Sequence, residues 1–313
     1  MPTHMNAAPA PQPTKTNAAP TLLLIGATAL WGATFVVVDE AIQAYNFLSF
    51  LAVRFVLAAG ALFPFVLFKP FKMTRRAFCV GLTLGLPIAL GYFLQTWGLK
   101  YASPTNSGLI TGCVVLIAPL LDRALFQKPV LKTAAVFALA ALGGLGFMTG
   151  ASPAEARPGD LLTLGCAFGF ALHLTLTSRF APGLNAVALT FAQMLACAVL
   201  FSAAALLFEG ASAPPPSVWP GLLLTGLGAS GVCYLILTYA QQRISSARTA
   251  MLLTLESAFA LLFGLWIGGD RLSLIQWIGA GALLVSIAAH EASALLRGGR
   301  PNESAAERPP ESA

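Results

Sequence analysis

Between residues 22 and 291 the chain is a succession of long apolar runs separated by short polar gaps. The runs cover approximately 22–38, 47–68, 77–98, 105–121, 133–150, 160–178, 186–208, 218–240, 249–267 and 273–291. About 20 apolar residues let a helix cross ~30 Å of hydrocarbon. Backbone polar groups in lipid must be satisfied within a helix or a closed barrel, and barrel strands are about half as long as these runs and alternate in polarity. The pattern therefore predicts ten transmembrane helices in an all-α integral membrane protein. The gaps carry the punctuation: Lys69-Pro70, Ser103-Pro104, Ser152-Pro153, Arg157-Pro158 and Pro214-Pro215-Pro216. Residues 1–20 and 292–313 are rich in Ala, Pro, Asn, Ser and Glu without apolar periodicity, and are expected to be disordered tails.

Charge placement tests this count. With the N-terminus in the cytoplasm, the cytoplasmic segments hold Lys15, Lys69, Lys72, Arg75, Arg76, Arg123, Lys128, Lys132, Arg179, Arg243, Arg248, Arg297, Arg300 and Arg308, which is 14 of the 18 basic residues. The outer loops hold Lys100, Arg157 and Arg271, and Arg54 lies within a span. That split agrees with the positive-inside rule and with an even number of spans, and puts both termini in the cytoplasm. The first run lacks a basic n-region and an A-x-A cleavage site, so it reads as a retained span rather than a signal peptide.

Composition narrows the function. The 313 residues are 57% apolar and 10% charged, with a mean hydropathy of +0.77; soluble domains average about 25% charged residues. The net charge of +6 is scattered among apolar runs with no basic stripe, which argues against nucleic acid and for lipid headgroups. Cys79, Cys113, Cys166, Cys197 and Cys233 all fall inside apolar runs, without metal-ligand spacing or a disulfide framework. No P-loop, zinc motif or dinucleotide fingerprint is present, so no cofactor and no ATP-driven pumping are expected.

The chain also repeats itself. An offset of 139 places Leu22, Leu23 and Gly26 on Leu161, Leu162 and Gly165, and Arg54 on Gln193. An offset of 142 places Leu82-Thr83 on Leu224-Thr225, Tyr92 on Tyr234, Thr96 on Thr238 and Ser103 on Ser245. The matches divide the spans into a first five-helix repeat (21–150) and a second (151–291). Five is odd, so the second repeat enters from the opposite side, an arrangement recurrent in transporters.

Several stretches are, in order and spacing, similar to the drug/metabolite transporter superfamily, in particular its EamA-type members. They are Leu30-Trp31-Gly32-Ala33-Thr34-Phe35, Arg54-Phe55, Tyr101-Ala102-Ser103-Pro104-Thr105-Asn106, Ala118-Pro119, Gly159-Asp160-Leu161-Leu162, Leu255-Glu256-Ser257 and Gln276-Trp277-Ile278-Gly279. The resemblance covers residues 21–290 and implies export or exchange of amino acids, nucleotide-related metabolites or drugs through a central cavity. The chain departs from the family at Ser257, where Pro is frequent, and at Lys128 and Asp270, where Glu is frequent.

Ionisable groups inside spans normally face a cavity or a partner, and Arg54, His173 and Glu256 are the clear cases. Glu256 and His173 are candidates for binding substrate or carrying protons; the alternative pairs Glu256 with Arg54 or with hydroxyls as interhelical glue. Arg54, about two turns from the outer end of its helix, is expected to be mostly structural, within reach of the interface by snorkelling. Tyr92, Gln95 and Thr96 share one helix face, as do Tyr234, Thr238 and Gln241, and two such stripes on repeat-related helices suit a shared substrate cavity. Trp31 and Asn106 complete the candidate substrate-binding set. Gly pairs at GxxxG spacing (Gly81/Gly85, Gly146/Gly150, Gly165/Gly169, Gly264/Gly268) are expected to permit close helix approach, and Pro119 is expected to kink the fourth helix.

The expected function is secondary transport of a small polar metabolite by alternating access, as export or exchange, in a bacterial cytoplasmic membrane. Protons are a candidate coupling ion and a homodimer a candidate assembly. Two rival functions fit parts of the sequence. Gly228-Ala229-Ser230-Gly231 has the form of an intramembrane serine protease motif with His290 downstream, but a nucleophile needs its base within hydrogen-bond reach. A passive channel needs a continuous polar lining, for which three buried ionisable residues are few.

Overall fold

The computed structural model describes residues 18–68, 72–102, 104–128, 132–149, 158–210, 212–267 and 273–298. Every predicted span is mostly helical over its described residues: α1 (Ala19–Ala44), α2 (Phe47–Val66), α3 (Arg75–Gly98), α4 (Pro104–Thr111), α5 (Val114–Phe126), α6 (Lys132–Thr149), α7 (Pro158–Phe180), α8 (Ala186–Phe208), α9 (Trp219–Leu223), a π-helical stretch (Leu224–Val232), α10 (Cys233–Gln241), α11 (Ser246–Leu253), α12 (Leu255–Ile267) and α13 (Leu274–Gly298). Among the described residues, six helices are long and apolar enough to cross a membrane: α1, α2, α3, α7, α8 and the unit Pro216–Gln241. The predicted fourth and ninth spans are the broken pairs α4–α5 and α11–α12. The predicted C-terminal tail begins too early, since α13 runs on to Gly298.

Local chemistry accounts for where helices begin. Thr74, Asn185 and Ser245 accept hydrogen bonds from the backbone N–H groups of Ala77, Ala188 and Arg248, each capping its own helix. Asn46 makes no such bond at the head of α2. Glu209, at the end of α8, takes its place: its carboxylate accepts from Leu48 N at 3.1 Å, Ser49 N at 2.8 Å and Ser49 Oγ at 2.9 Å. Within the spans, Thr28, Thr34, Thr163 and Thr225 bond back to carbonyls of the preceding turn, so their hydroxyls are satisfied without water.

Packing is tightest where small residues let backbones close up. α3 lies against both α7 and α8. A Cβ on Gly81 would meet Ala192 Cβ at 2.4 Å, and one on Gly85 would meet Ala196 Cβ at 2.5 Å. The predicted role of the Gly81/Gly85 pair is thus realised against a second small-residue stripe. Gly169 serves a close backbone approach of α7 to α3, since a Cβ there would meet Gly91 N and Pro87 O at 3.0 Å, whereas Gly165 makes room for the Leu94 side chain; Gly150 and Gly268 lie outside the described residues, as do the surroundings of Gly146 and Gly264. Phe50, Phe55, Leu84, Ile88, Leu174, Leu189 and Met194 fill the interior. The outside is apolar too, with Leu207 77% and Phe208 79% exposed, the inverse of a water-facing surface.

The interruption of the predicted fourth helix is displaced from Pro119 to Gly112-Cys113. Helix α5 runs through Pro119, while Cys113 N and Val115 N make tighter bonds to Ile110 O and Gly112 O. Glycine's weak helix preference makes Gly112 the natural place to break. The ninth span breaks in the same manner at Thr254, whose hydroxyl turns back to Met251 O at 2.6 Å. Pro104–Thr111 and Ser246–Leu253 are both eight-residue helices, displaced by the offset of 142 that aligns Tyr92 with Tyr234.

Candidate functional site

Both breaks border one central cavity of about 820 Å³, its open mouth included. α1 contributes Trp31, Thr34, Phe35 and Val38, α2 contributes Arg54, and α3 contributes Tyr92 and Gln95. Gly108, Thr111, Gly112 and Val114 come from the first broken helix, and Leu253, Thr254, Glu256 and Ser257 from the second. His173 and Phe170 of α7 and Tyr234 of α10 close the wall.

Aromatic rings set the shape of the site. Tyr234 is the hub, with ring centroids 5.6 Å from Trp31, 6.1 Å from Tyr92 and 5.7 Å from His173. Tyr92 meets Phe55 and Phe170 edge-on, both at 5.2 Å. Edge-to-face rings hold one another rigidly and leave polar tips free for directional contacts. The π-helical stretch gives Trp31 its anchor: Trp31 Nε1 donates to Ala229 O at 2.8 Å. A wide turn leaves carbonyls outside the ordinary helical ladder, which is why such bulges gather at functional sites.

The sequence candidates separate by position. Trp31, Tyr92, His173, Tyr234 and Glu256 all line the cavity. Thr96 and Thr238 do not: both are buried, and Thr238 accepts a hydrogen bond from Thr190 of α8 at 3.1 Å. An i+4 residue is rotated about 40° from its partner around a helix, enough to turn it from the cavity towards the neighbouring helix. Gln95, one position before Thr96, faces the cavity and donates weakly to Thr111 Oγ1 at 3.4 Å. Gln241 is also withdrawn, its Nε2 bonded to Leu174 O at 2.8 Å. Asn106 lies in α4, but its side chain is outside the described residues.

Arg54 departs most from its sequence reading. Instead of snorkelling, an option that its depth left open, it is 2% exposed and lines the cavity. Its Nε donates to Ser230 Oγ at 2.8 Å and its Nη2 to Tyr92 Oη at 3.1 Å. Among the described residues no ion pair joins Arg54 to Glu256, although both line the cavity. His173, 1% exposed, has no hydrogen-bond partner for Nε2 among the described residues.

Ser230 is fully buried and engaged by Arg54. No histidine among the described residues bonds to it, and the side chain of His290 is outside them, so the protease motif gains no catalytic pair. No group of three or more His, Cys, Asp or Glu residues suited to a metal occurs among the described residues.

Comparison with known proteins gives a consistent picture. Residues 19–150 and 157–289 each match the EamA-like transporter family. An uncharacterized transporter of Archaeoglobus fulgidus is 30% identical over 258 residues, covering 82% of this chain and 81% of its own length. The uncharacterized inner membrane transporter YedA of Escherichia coli K12 is 23% identical over 267 residues, covering 82% and 86%. A crystal structure 20% identical in sequence matches the fold with a TM-score of 0.74, covering 90% of this chain and 99% of that one.

Proposed function

The chain belongs to the EamA-like transporter family, and from that premise we propose that it is a secondary transporter working by alternating access. It exports or exchanges a small polar metabolite, such as an amino acid or a drug-like compound, across a bacterial cytoplasmic membrane. The observation that carries this reading is the cavity bordered by two helices broken at corresponding places in the two halves. Discontinuous helices at a repeat interface are a recurrent way to build a transport site, because broken backbone is tolerated in a membrane only where it lines a cavity.

Two inverted five-helix repeats are supported by how the helices pair. Exchange the halves, and the contact of α3 with α7 becomes that of the Leu224–Gln241 unit with α1. The contact of α3 with α8 becomes that of the π-helical stretch with α2, and α5 with α7 becomes α12 with α1. The pairs α2–α8 and α6–α13 map onto themselves. Packing that survives this exchange lets each half adopt the other's conformation, which moves the opening from one face to the other. The distribution of Lys and Arg supports cytoplasmic termini. Protons are the proposed coupling ion, with Glu256 and His173 on the cavity wall as their carriers.

Reconstitution tests the function. Compounds that raise the melting temperature of the purified protein in a metabolite screen are loaded into proteoliposomes, and uptake of the labelled compound is followed. Saturable uptake, accelerated by unlabelled compound inside, is the expected result. Uptake that neither saturates nor accelerates is channel behaviour and refutes the proposal.

A further inference from the structure

Arg54 is pinned on two sides and left with one nitrogen to spare. Nε is held by Ser230, Nη2 by the Tyr92 hydroxyl, and the guanidinium carbon sits 4.4 Å over the Tyr92 ring. Ser230 and Tyr92 are themselves buried, so the orientation of the fork is fixed before any ligand arrives. Nη1 makes no hydrogen bond among the described residues, and the side chain lines the cavity. Among the described residues no carboxylate lies within 4.0 Å of it.

A guanidinium withdrawn from water with no anion in contact keeps a donor open to one, with Glu256 only a longer-range electrostatic partner on the same wall, and its planar fork matches a carboxylate or phosphate. Resting on the transport reading, we propose that Arg54 is the specificity-determining residue of the cavity: it docks the carboxylate of the cargo, which is a small monocarboxylate with an apolar body. Trp31, Tyr92, Phe170 and Tyr234 supply the wall against which that body packs. Glu256 on the same wall opposes a second negative charge and accommodates a cationic group, so zwitterions are included and phosphate dianions are not. Ser230 and Tyr92 are positioning residues for the guanidinium. The small-residue motif around Ser230 serves packing as well: a Cβ on Gly226 would come within 3.0 Å of Arg54 O.

The test uses the full chain in detergent and reads ligand affinity from thermal stabilisation. The probes are L-phenylalanine, 3-phenylpropionate, L-phenylalaninamide, phenethylamine and phenyl phosphate, with parallel sets built on indole and isobutyl side chains. In at least one set the carboxylates bind about ten- to a hundredfold more tightly than the amide, the range expected of hydrogen bonds to charged groups. Arg54→Gln brings that ratio towards one, and Arg54→Lys, which keeps the charge but loses the fork, retains part of it. Should Arg54→Gln fail to fold, Arg54→Lys and Ser230→Ala carry the test, both narrowing the ratio in protein that still melts cooperatively. The proposal is overturned if no carboxylate binds more tightly than its amide in any set, if phenyl phosphate binds best, or if the ratio survives in the variants. Counterflow separates this outcome from failure of the transport reading. Saturable exchange of the amine or amide at wild-type affinity leaves transport standing and removes the carboxylate dock; carboxylate binding without exchange of any probe does the reverse.

Discussion

Ser246 donates a hydrogen bond to the Asp122 carboxylate, tying the first turn of α11 to the end of α5 across 124 positions of sequence. Lys128 holds the other carboxylate oxygen at 3.1 Å. These are ends of the two broken helices, so the tie fastens one end of the cavity. Glu209 fastens another part of the bundle through Leu48 and Ser49, also across the two halves. A transporter that opens on alternate faces must break such ties in turn, each worth about 1.5–3 kcal/mol where an ionised group is involved.

Asp122→Asn therefore favours opening at the Lys128 end. In a background with the five cysteines replaced by alanine, a cysteine placed at Ala250, which lines the cavity and is fully buried, reports access to maleimide. Labelling from the Lys128 side is expected to rise about tenfold with Asp122→Asn, following the lost bond, while labelling from the opposite side falls. Unchanged labelling on both sides removes Asp122 from the gate.

The close approach of α3 and α8 gives a stability prediction with an internal control. Gly85→Val pushes a branched side chain into Ala196 Cβ and the carbonyl of Gln193, 2.5 and 2.9 Å from the first added atom. Overpacking of this kind costs about 1–3 kcal/mol, and the melting temperature in detergent drops accordingly. Gly60→Ala, in the middle of α2 with nothing within 4 Å, gains helix preference of up to about 1 kcal/mol and melts no lower than wild type. Equal melting of the two variants contradicts the packing described.

These elements were legible in the sequence to unequal degrees. Apolar run length is sufficient to locate helices, because lipid leaves the backbone no alternative. The repeat is legible at Tyr92 and Tyr234, and the offset that aligns them also aligns the two breaks, although Gly112 and Thr254 carry no sequence signal of a break by themselves. What stayed hidden was direction. Thr96 and Thr238 were placed beside the tyrosines by helical spacing, yet face neighbouring helices, because a 40° rotation in so narrow a bundle separates cavity from packing. Arg54 was read from its depth along the helix, which does not say which way it points; its partners Ser230 and Tyr92 are 176 and 38 residues away. The Arg54–Ser230 contact also turns a motif suggestive of a nucleophile into a support for a cation.

Trp31 uses its polar ring atom on the backbone of the other half, at Ala229 O. Trp31→Phe keeps an aromatic wall and removes that bond, worth about 1 kcal/mol. Binding of a transported compound is expected to weaken severalfold while melting shifts only slightly; Trp31→Ala, which also removes the edge contact to Tyr234, weakens it further. A phenylalanine variant with wild-type affinity shows that the indole N–H does not orient the site.

Glu256 and His173 offer the sharpest separation between coupling and binding. A carboxyl group on the wall of an alternately opened cavity takes up a proton on one side and releases it on the other, provided the empty and loaded carriers differ in protonation. Glu256→Gln keeps the shape and the hydrogen-bonding capacity but carries no proton. Proteoliposomes with an imposed pH gradient are expected to lose gradient-driven accumulation in this variant, while counterflow at equal pH continues at a substantial rate. His173→Gln supplies the comparison, since loss of accumulation there and not in Glu256→Gln assigns the proton to the imidazole. Accumulation that responds to the gradient equally in wild type and both variants excludes these two groups as the coupling site and leaves simple exchange as the mode of transport.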